Sequence, residues 1–211
     1  MSLNGRFIEN NFFKKRLFFV ADETTHLPER ILNNPYFRAE IITSSNDLSA
    51  KADMWDLTGY NLVEKFAKRL KDPSLTLYLA LDRENARIAG YFWTAEANEG
   101  PVWHDKIYVE PGSALGLDAF TLPEYRGKGA FPFLKSVAIR RTVLEGDARA
   151  LYSIVEGSNY ASIRANEKLG LKKAGENYLI KVFGENVLSV IHRDRGWETY
   201  FTFRNIRSKQ L

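Results

Sequence analysis

A short basic turn in the middle of the chain separates a segment with strand character from one with helix character. The strand is predicted over residues 113–121 and the helix over 132–145, and the turn between them reads PEYRGKGAF from residue 123. The first amides of a helix have no partner within the helix, and the helix dipole makes that end positive. Gly127 and Gly129 allow a ligand to approach the main chain without obstruction from a side chain. This unit therefore predicts an anion site, and a diphosphate is its natural ligand.

The distribution of charge supports an anion site near this turn. Residues 1–122 carry 14 basic and 17 acidic side chains, whereas residues 123–211 carry 16 basic and 9 acidic ones. Within the second half, residues 123–141 hold five basic side chains against one acidic. Such a concentration suits a compact polyanion such as a phosphate group. We expect Arg126 and Lys128 to bind it, while Lys135, Arg140 and Arg141 are expected on a solvated helix face.

Composition excludes several classes of protein. The 211 residues are 45% hydrophobic and 27% charged, which is typical of a globular domain and excludes a largely disordered chain. There is no cysteine, so disulfides, thiolate metal sites and a cysteine nucleophile are excluded. The three histidines lack the spacing of metal ligands, and we expect no metal. Without a signal-like start or a run of about 18 apolar residues, we expect a cytoplasmic protein with no membrane partner.

The remaining pattern predicts a mixed sheet with helices on both faces. Helices are predicted over Asp47–Trp55, Tyr60–Lys71, Pro132–Glu145 and Tyr160–Leu169, the last capped by Asn159. Strands are predicted over eight segments: Arg16–Val20, Phe37–Thr43, Leu75–Leu81, Arg87–Ala95, Ser113–Thr121, Ala150–Glu156, Asn177–Phe183 and Val187–Ile191.

Two motifs in the second half resemble those of a known family. The segment Arg126–Phe131, RGKGAF, resembles the acetyl-CoA-binding motif of the GNAT superfamily of N-acetyltransferases. The segment Asn159–Leu171, NYASIRANEKLGL, is similar to a second GNAT motif and follows in the expected order. The resemblance covers roughly residues 36–191. Residues 1–35 are then an N-terminal extension, with an edge strand packing on the core, and residues 192–211 a C-terminal tail.

The resemblance implies an α/β fold of the α+β type, in which a mostly antiparallel central sheet splays open in the middle. Acetyl-CoA is the implied co-substrate, and its pantetheine arm lies between the strands that end near Thr121 and Glu156. The implied cofactor-binding residues are Ala119, Phe120, Thr121, Arg126, Gly127, Lys128, Gly129, Ala130, Phe131 and Asn159.

Two residues depart from the family pattern. Phe131 stands where the phosphate motif has a small residue, so its ring must point away from the phosphates. Asn166 stands where many members have a tyrosine that protonates the departing thiolate, and an asparagine side chain cannot act as a general acid. Tyr160, Tyr125 or water could replace that tyrosine, although we expect that no dedicated acid is needed.

Two carboxylates on the predicted central strands are candidates for the catalytic base. Glu156 lies near the end of its strand, where the sheet should open, and Asp118 lies three residues before Thr121. We rank Glu156 above Asp118, because an acidic residue within an apolar strand is as often part of a salt bridge. Side chains in the connection before the central strand could also bind or deprotonate the acceptor: Glu96, Glu99, His104 and Asp105.

The sequence thus predicts an N-acetyltransferase that moves the acetyl group of acetyl-CoA to a primary amine by direct attack in a ternary complex. The acceptor is a small molecule or a peptide, and a homodimer is compatible with the sequence. One alternative is a catalytically silent domain of the same fold that binds CoA or a partner. Another is a basic nucleic-acid-binding protein, against which the net charge of +4 and the absence of a recognition motif argue.

Overall fold

One large sheet organises the chain. The computed structural model describes residues 13–49, 62–96, 102–104, 107–109, 111–182, 185–193 and 196–201. Within them the sheet has nine strands in the order β11-β10-β9-β1-β8-β7-β4-β3-β2, and β5 and β6 form a separate pair. The strands are β1 (Phe13–Asp22), β2 (Phe37–Ile42), β3 (Leu75–Asp82), β4 (Ile88–Glu96), β5 (Val102–His104), β6 (Ile107–Val109), β7 (Ala114–Thr121), β8 (Ala150–Glu156), β9 (Lys172–Val182), β10 (Glu185–Arg193) and β11 (Gly196–Phe201).

Five α-helices are described. They are α1 (Glu29–Leu32), α2 (Ser45–Ser49), α3 (Leu62–Arg69), α4 (Ala130–Ile139) and α5 (Tyr160–Lys168). A 3₁₀ turn over Pro123–Tyr125 precedes α4, and a π-helical turn over Arg140–Leu144 extends it. None of the helices described here has the length and apolar character needed to cross a membrane.

The helices cover both faces of the sheet because the strand side chains alternate between two cores. Along β3, Leu77 and Leu79 pack with Phe66 of α3 on one face. Tyr78 of the same strand belongs to the core on the other face, together with Leu134 of α4. All adjacent strands of the sheet pair antiparallel except β7 and β8. The predicted fold class, a mostly antiparallel mixed sheet with helices on both faces, is confirmed.

The sheet opens between β7 and β8. These two strands are parallel and pair only over their first residues, up to Gly116 opposite Ser153. Beyond that point β7 stays paired with β4 as far as Thr121, and β8 stays paired with β1 as far as Glu156. The far halves of β7 and β8 therefore form the two sides of a gap in the middle of the sheet.

A bulge lies on the β7 side of this gap. Gly116 pairs with Thr94 and Ala119 pairs with Phe92, so two residues of β7 stand opposite the single residue Trp93 of β4. Such a bulge shifts the alternation of side chains and increases the local twist.

The structure corrects the expectations for the two chain ends. The strand in residues 1–35 was expected at an edge, but β1 lies in the interior of the sheet, between β8 and β9. Its residues Phe18 and Phe19 are buried. The segment 192–211, expected as a tail, begins inside β10 and contributes β11 to the sheet. Pairing partners distant in sequence leave no local signal, so the position of a strand in the sheet order could not be read from residues 1–35 alone.

Most predicted elements lie where the pattern placed them. Helix α4 begins at Ala130, two residues before the predicted Pro132, and β9 begins at Lys172 rather than Asn177. The predicted helix Asp47–Trp55 is described only as α2, and its later part lies outside the described residues.

Candidate active site

A cleft of about 680 Å³ lies at the gap between β7 and β8, next to the basic turn. Nine of the ten predicted cofactor-binding residues line it: Ala119, Phe120, Thr121, Arg126, Gly127, Gly129, Ala130, Phe131 and Asn159. The chain positions them through the end of β7, the turn into α4 and the start of α5. The turn and the strand gap, predicted from separate motifs, therefore belong to one concave site.

Four amides at the turn and the start of α4 have no protein acceptor among the described residues, whereas those of Arg126 and Lys128 donate to the Pro123 and Tyr125 carbonyls. Gly127 and Gly129 adopt left-handed backbone conformations, with φ of 80° and 86°, and Gly129 caps α4 without a side-chain hydrogen bond. The first described bond of the helix runs from the Phe133 amide to the Gly129 carbonyl, at 3.0 Å. Among the described residues, the amides of Gly127, Gly129, Ala130 and Phe131 donate to no protein acceptor. The start of α4 thus combines unpaired donors with the positive end of the helix dipole.

Cationic side chains surround these amides. Arg126 lines the cleft, and its Nε donates to the Thr121 carbonyl at 3.3 Å. Arg164 and Lys168 of α5 also line the cleft, and no acidic residue lines it within the described part of the chain. The arrangement gives the cleft a positive potential suited to phosphate groups.

Sequence reasoning missed Arg164 and Lys168, although a signal for them existed. Residues 161, 164, 165 and 168 follow the i, i+3, i+4, i+7 spacing of a single helix face, and all four line the cleft. Because Asn159 at the start of this helix was predicted to bind the ligand, the same spacing also predicts that Arg164 and Lys168 face the ligand.

Lys128, the tenth predicted residue, lies on another side of the turn. Its Nζ sits 5.1 Å from the centre of the Tyr125 ring, and its carbonyl accepts a hydrogen bond from Asn34 Nδ2 at 3.3 Å. Its side chain lines a separate small pocket with Tyr36 and Arg83. Lys128 therefore does not line the cleft in this structure, and its contact with the ligand stays a prediction.

The Phe131 ring is directed toward the sheet, as its position in the phosphate motif requires. It packs edge-on against Phe92 of β4, with ring centroids 6.1 Å apart at 80°. At the start of α4, Phe131 therefore offers a ligand its backbone amide and not its side chain. Phe131 lines both the cleft and a second, inner cavity, and it forms part of the wall where the two meet.

The inner cavity, of about 240 Å³, extends between β7 and β8. It shares four lining residues with the cleft: Ala119, Phe131, Asn159 and Ser162. Both candidate bases, Asp118 and Glu156, also line it. The two candidate bases and nine of the ten predicted cofactor-binding residues therefore line two adjoining spaces.

The two candidate bases differ in their surroundings. Asp118, in the bulge, accepts from Arg69 Nη1 of α3 at 3.1 Å, and its side chain is 37% exposed. Arg69 in turn sits 5.5 Å from the centre of the Trp93 ring. Asp118 thus forms a salt bridge, which the sequence analysis gave as the alternative to a catalytic role. Glu156 lies exposed at the end of β8, where the strand leaves the sheet.

Asn159 holds the start of α5 in place. Its Oδ1 accepts from the Ser162 amide at 3.1 Å, so the predicted N-cap is confirmed. The same side chain lies between the cleft and the inner cavity and lines both. Of the two tyrosines suggested as acids, Tyr160 is 68% exposed and Tyr125 is buried.

Lys135 is the clearest departure from expectation. It was placed on a solvated helix face, but it is fully buried in α4 and lines the inner cavity. Its Nζ donates to Oδ1 of Asn166, which is itself fully buried. Arg140 and Arg141 are exposed, as expected. The signal for Lys135 was its spacing from Phe131 and Ala138, which puts it within the apolar stripe of the helix.

Neither the protein-family models nor the curated proteins include a match to this chain. Similar solved structures include a GCN5-related N-acetyltransferase-like protein from Streptococcus suis, with 14% identity, a TM-score of 0.48, and coverage of 82% of this chain and 65% of that one. A tandem GNAT protein from the clavulanic acid biosynthesis pathway has 13% identity, a TM-score of 0.49, and coverage of 82% and 56%.

A third similar structure is the aminoglycoside N-acetyltransferase AAC(6')-Iy in complex with CoA, with 15% identity, a TM-score of 0.47, and coverage of 64% of this chain and 92% of that one. The chain thus spans 65% and 56% of the length of the first two structures. Within this chain, the open strand pair and the glycine turn before α4 agree with the arrangement that the resemblance of the two motifs implied.

Proposed function

We propose that the protein is an N-acetyltransferase that transfers the acetyl group of acetyl-CoA to a primary amine. The observation that carries the proposal is the set of unengaged amides at the start of α4, which opens onto a cationic cleft leading into the strand gap. A diphosphate on these amides places the rest of a CoA molecule along that gap.

The cleft offers a separate set of contacts for each part of the donor. The amides of Gly127, Gly129 and Ala130 bind the diphosphate, and Arg126, Arg164 and Lys168 balance its charge. The pantetheine arm lies along Ala119–Thr121, where β7 has lost its parallel partner. Backbone groups of β7 that point away from β4 face the gap and can bond the arm as they would bond a strand.

Acetyl transfer then needs a neutral amine held close to the thioester. An alkyl amine is mostly protonated at neutral pH, so a base must take its proton before attack. We take Glu156 as this base because it ends β8 and lines the inner cavity. It acts directly or through one water molecule, while Asp118 stays engaged with Arg69. A main-chain amide near the bulge polarises the carbonyl as the new C–N bond forms, and binding both reactants in one gap supplies proximity.

The test combines binding with turnover. Acetyl-CoA is expected to raise the melting temperature, corresponding to about 2.7 kcal/mol at 100 times Kd, and to release free thiol when a suitable amine is present. Arg164→Glu and Lys168→Glu should each weaken binding at least about tenfold, because they place a carboxylate opposite the phosphates. The matched control is Arg140→Glu, which alters an exposed arginine that contacts Glu145 outside the cleft.

A CoA-binding domain without turnover is the second candidate, and the uncharged Asn166 is the observation that favours it. The two candidates separate in the same experiment. Stabilisation by acetyl-CoA without thiol release across amino acids, polyamines, aminosugars and peptide amino termini would favour the silent domain. Equal affinities of the two charge-reversal variants and the control would contradict binding at the proposed site.

A further inference from the structure

Lys135 is fully buried, and no carboxylate among the described residues serves as its counterion. Lys135 has no solvent exposure, and among the described residues no carboxylate lies within salt-bridge distance of its Nζ. Its side-chain partner is the neutral Oδ1 of Asn166, and its Nζ lies 6.0 Å from the centre of the Phe131 ring. Burial lowers the pKa of Lys135 from 10.5 to about 7. Lysine is rarely buried without a charged partner. A lysine buried in this way beside a cavity is therefore a candidate for a functional residue.

Lys135 lies on the wall of the inner cavity, facing the strand gap. Ser153 of β8 lines the same cavity, and its buried Oγ has no hydrogen-bond partner in the described part of the chain. At Gly116, a Cβ would come within 3.0 Å of that Oγ and 2.8 Å of the Phe92 ring, so glycine leaves this end of the gap open. An apolar core would fill such a space with apolar side chains. Here the space is left open, and polar side chains form part of its lining.

Asn166 orients the lysine. Its Nδ2 donates to the Ser162 carbonyl at 2.7 Å, which leaves Oδ1 facing Lys135. One proton of the ammonium group is thereby used by Asn166, and the others remain for a ligand in the cavity. Asn166 therefore acts as a positioning residue for Lys135.

Breaking the thioester leaves a thiolate, which must gain a proton. The titratable residues lining the inner cavity are Asp118 on β7, Glu156 on β8 and Lys135 on α4, whereas α5 contributes the uncharged Asn166. Carboxylates ordinarily carry no proton at neutral pH, whereas an amine with a pKa of about 7 carries one in half of the molecules. Its acidity is also close to that of an alkyl thiol, which favours proton transfer between them.

We propose that Lys135 is the general acid that protonates the departing thiolate, an inference that rests on the proposed acetyl transfer and adds to it the identity of the acid. The amine nitrogen forms a bond to the acetyl carbon, the C–S bond breaks with its electron pair on sulfur, and sulfur takes a proton from the Lys135 ammonium group. The proton released by the amine goes to Glu156 or to water. Lys135, left neutral, regains a proton from solvent before the next turnover.

Lys135→Met in the full chain tests this assignment, with Lys65→Met as the matched control on the exposed face of α3. Lys135→Met should keep the Kd for acetyl-CoA within about twofold and lose about 100-fold or more in kcat. The kcat of the wild-type enzyme should fall as pH rises above about 7, because the ammonium form is lost, and this alkaline limb should be absent in Lys135→Met. The control should retain both kcat and its pH profile.

Asn166→Asp provides a second test that does not depend on the folding of Lys135→Met. A carboxylate beside Nζ favours the ammonium form, so the alkaline limb of kcat should move to higher pH. A limb that stays in place, or wild-type kcat in Lys135→Met at every pH, would overturn the proposal. So would an acetyl group found on Lys135 by mass spectrometry after incubation with acetyl-CoA alone, since the lysine would then be a nucleophile. If the wild-type protein binds acetyl-CoA but turns over no amine, the proposed function itself fails, and the proposal with it.

Discussion

At the scale of single residues, the energetics of this protein are most unusual at Lys135. Below about pH 7 the folded protein carries a buried ammonium group, whereas the unfolded chain carries the same group in water. As pH rises from about 7 toward 10.5, the folded form has already lost the proton that the unfolded form still binds. The free energy of unfolding should therefore rise with pH across this window.

The first prediction compares the pH dependence of stability in wild type and Lys135→Met. Between pH 7 and pH 9 the wild-type free energy of unfolding should rise by about 2 kcal/mol relative to that of the variant, since each pH unit corresponds to at most about 1.4 kcal/mol. Urea denaturation at the two pH values measures the difference. Parallel curves for the two proteins would show that Lys135 is not buried in the way described.

The second prediction concerns Glu176 of β9. Its carboxylate binds Lys15 of β1 at 2.9 Å and Lys173 at 2.6 Å and accepts from the Tyr178 hydroxyl. The hydrogen bond from Lys15, followed by those from Lys173 and Tyr178, lowers the pKa of Glu176 to about 2. Its contribution is present above pH 4.5 and is lost as pH falls toward 2.

Glu176→Gln should therefore be less stable than wild type by about 1 kcal/mol at pH 6, a value reduced for partial exposure, and the difference should disappear near pH 2. Thermal unfolding followed by circular dichroism across this range checks it. The control is Glu64→Gln, on the exposed side of α3. Its stability should match that of wild type at every pH.

At the scale of elements, β4 packs closely against β7, whose residues Ala119–Thr121 line the cleft. A Cβ on Gly90 would lie 2.5 Å from the Phe120 carbonyl oxygen, a backbone atom that cannot move without shifting β7. At Gly127, by contrast, a Cβ would meet nothing within 4 Å, although the φ of 80° strains any other residue.

The third prediction follows from this contrast. Gly90→Ala should lower the free energy of unfolding by about 2 to 4 kcal/mol, because it forces two paired strands apart. Gly127→Ala should cost only about 1 kcal/mol, from left-handed strain alone. Denaturant titration of both variants measures the difference, and equal losses would contradict the described spacing of β4 and β7.

The elements themselves could largely be predicted from sequence, because their signals are local. Strand alternation, the proline in the first turn of α4 and the Asn159 cap all act within a few residues. The strands that pair with β1 are distant in sequence, and its interior position in the sheet was not predicted. Lys135 was expected on a solvated helix face because of its charge. Its helical spacing instead agrees with the apolar stripe of α4, and in the structure it is fully buried.

At the scale of the whole molecule, β1 connects the two halves of the sheet. It pairs with β8 on one side and with β9 on the other, so β9, β10 and β11 reach the rest of the sheet through it. The boundary predicted at residue 35 would therefore remove a central strand. It would also leave the β8 side of the cleft without its support.

The fourth prediction is that the fragment 36–191 does not fold by itself. It should lack a cooperative unfolding transition and should not bind acetyl-CoA, because β8 would keep only its short pairing with β7. Circular dichroism and calorimetry test this, and co-expression with a 1–35 fragment should restore part of the binding. A fragment 36–191 that unfolds cooperatively and binds like the full chain would contradict the central position of β1.

The central claim is that the free amides at the start of α4 bind the diphosphate of acetyl-CoA. The most direct measurement is an NMR titration of the full-length, isotope-labelled protein with acetyl-CoA, following backbone amide resonances. The amides of Gly127, Gly129, Ala130 and Phe131 should shift together and saturate with one Kd, since charge-assisted hydrogen bonds form at each binding amide and alter the neighbouring one. Saturable binding that leaves these four resonances unchanged, or no binding at all, would contradict the claim.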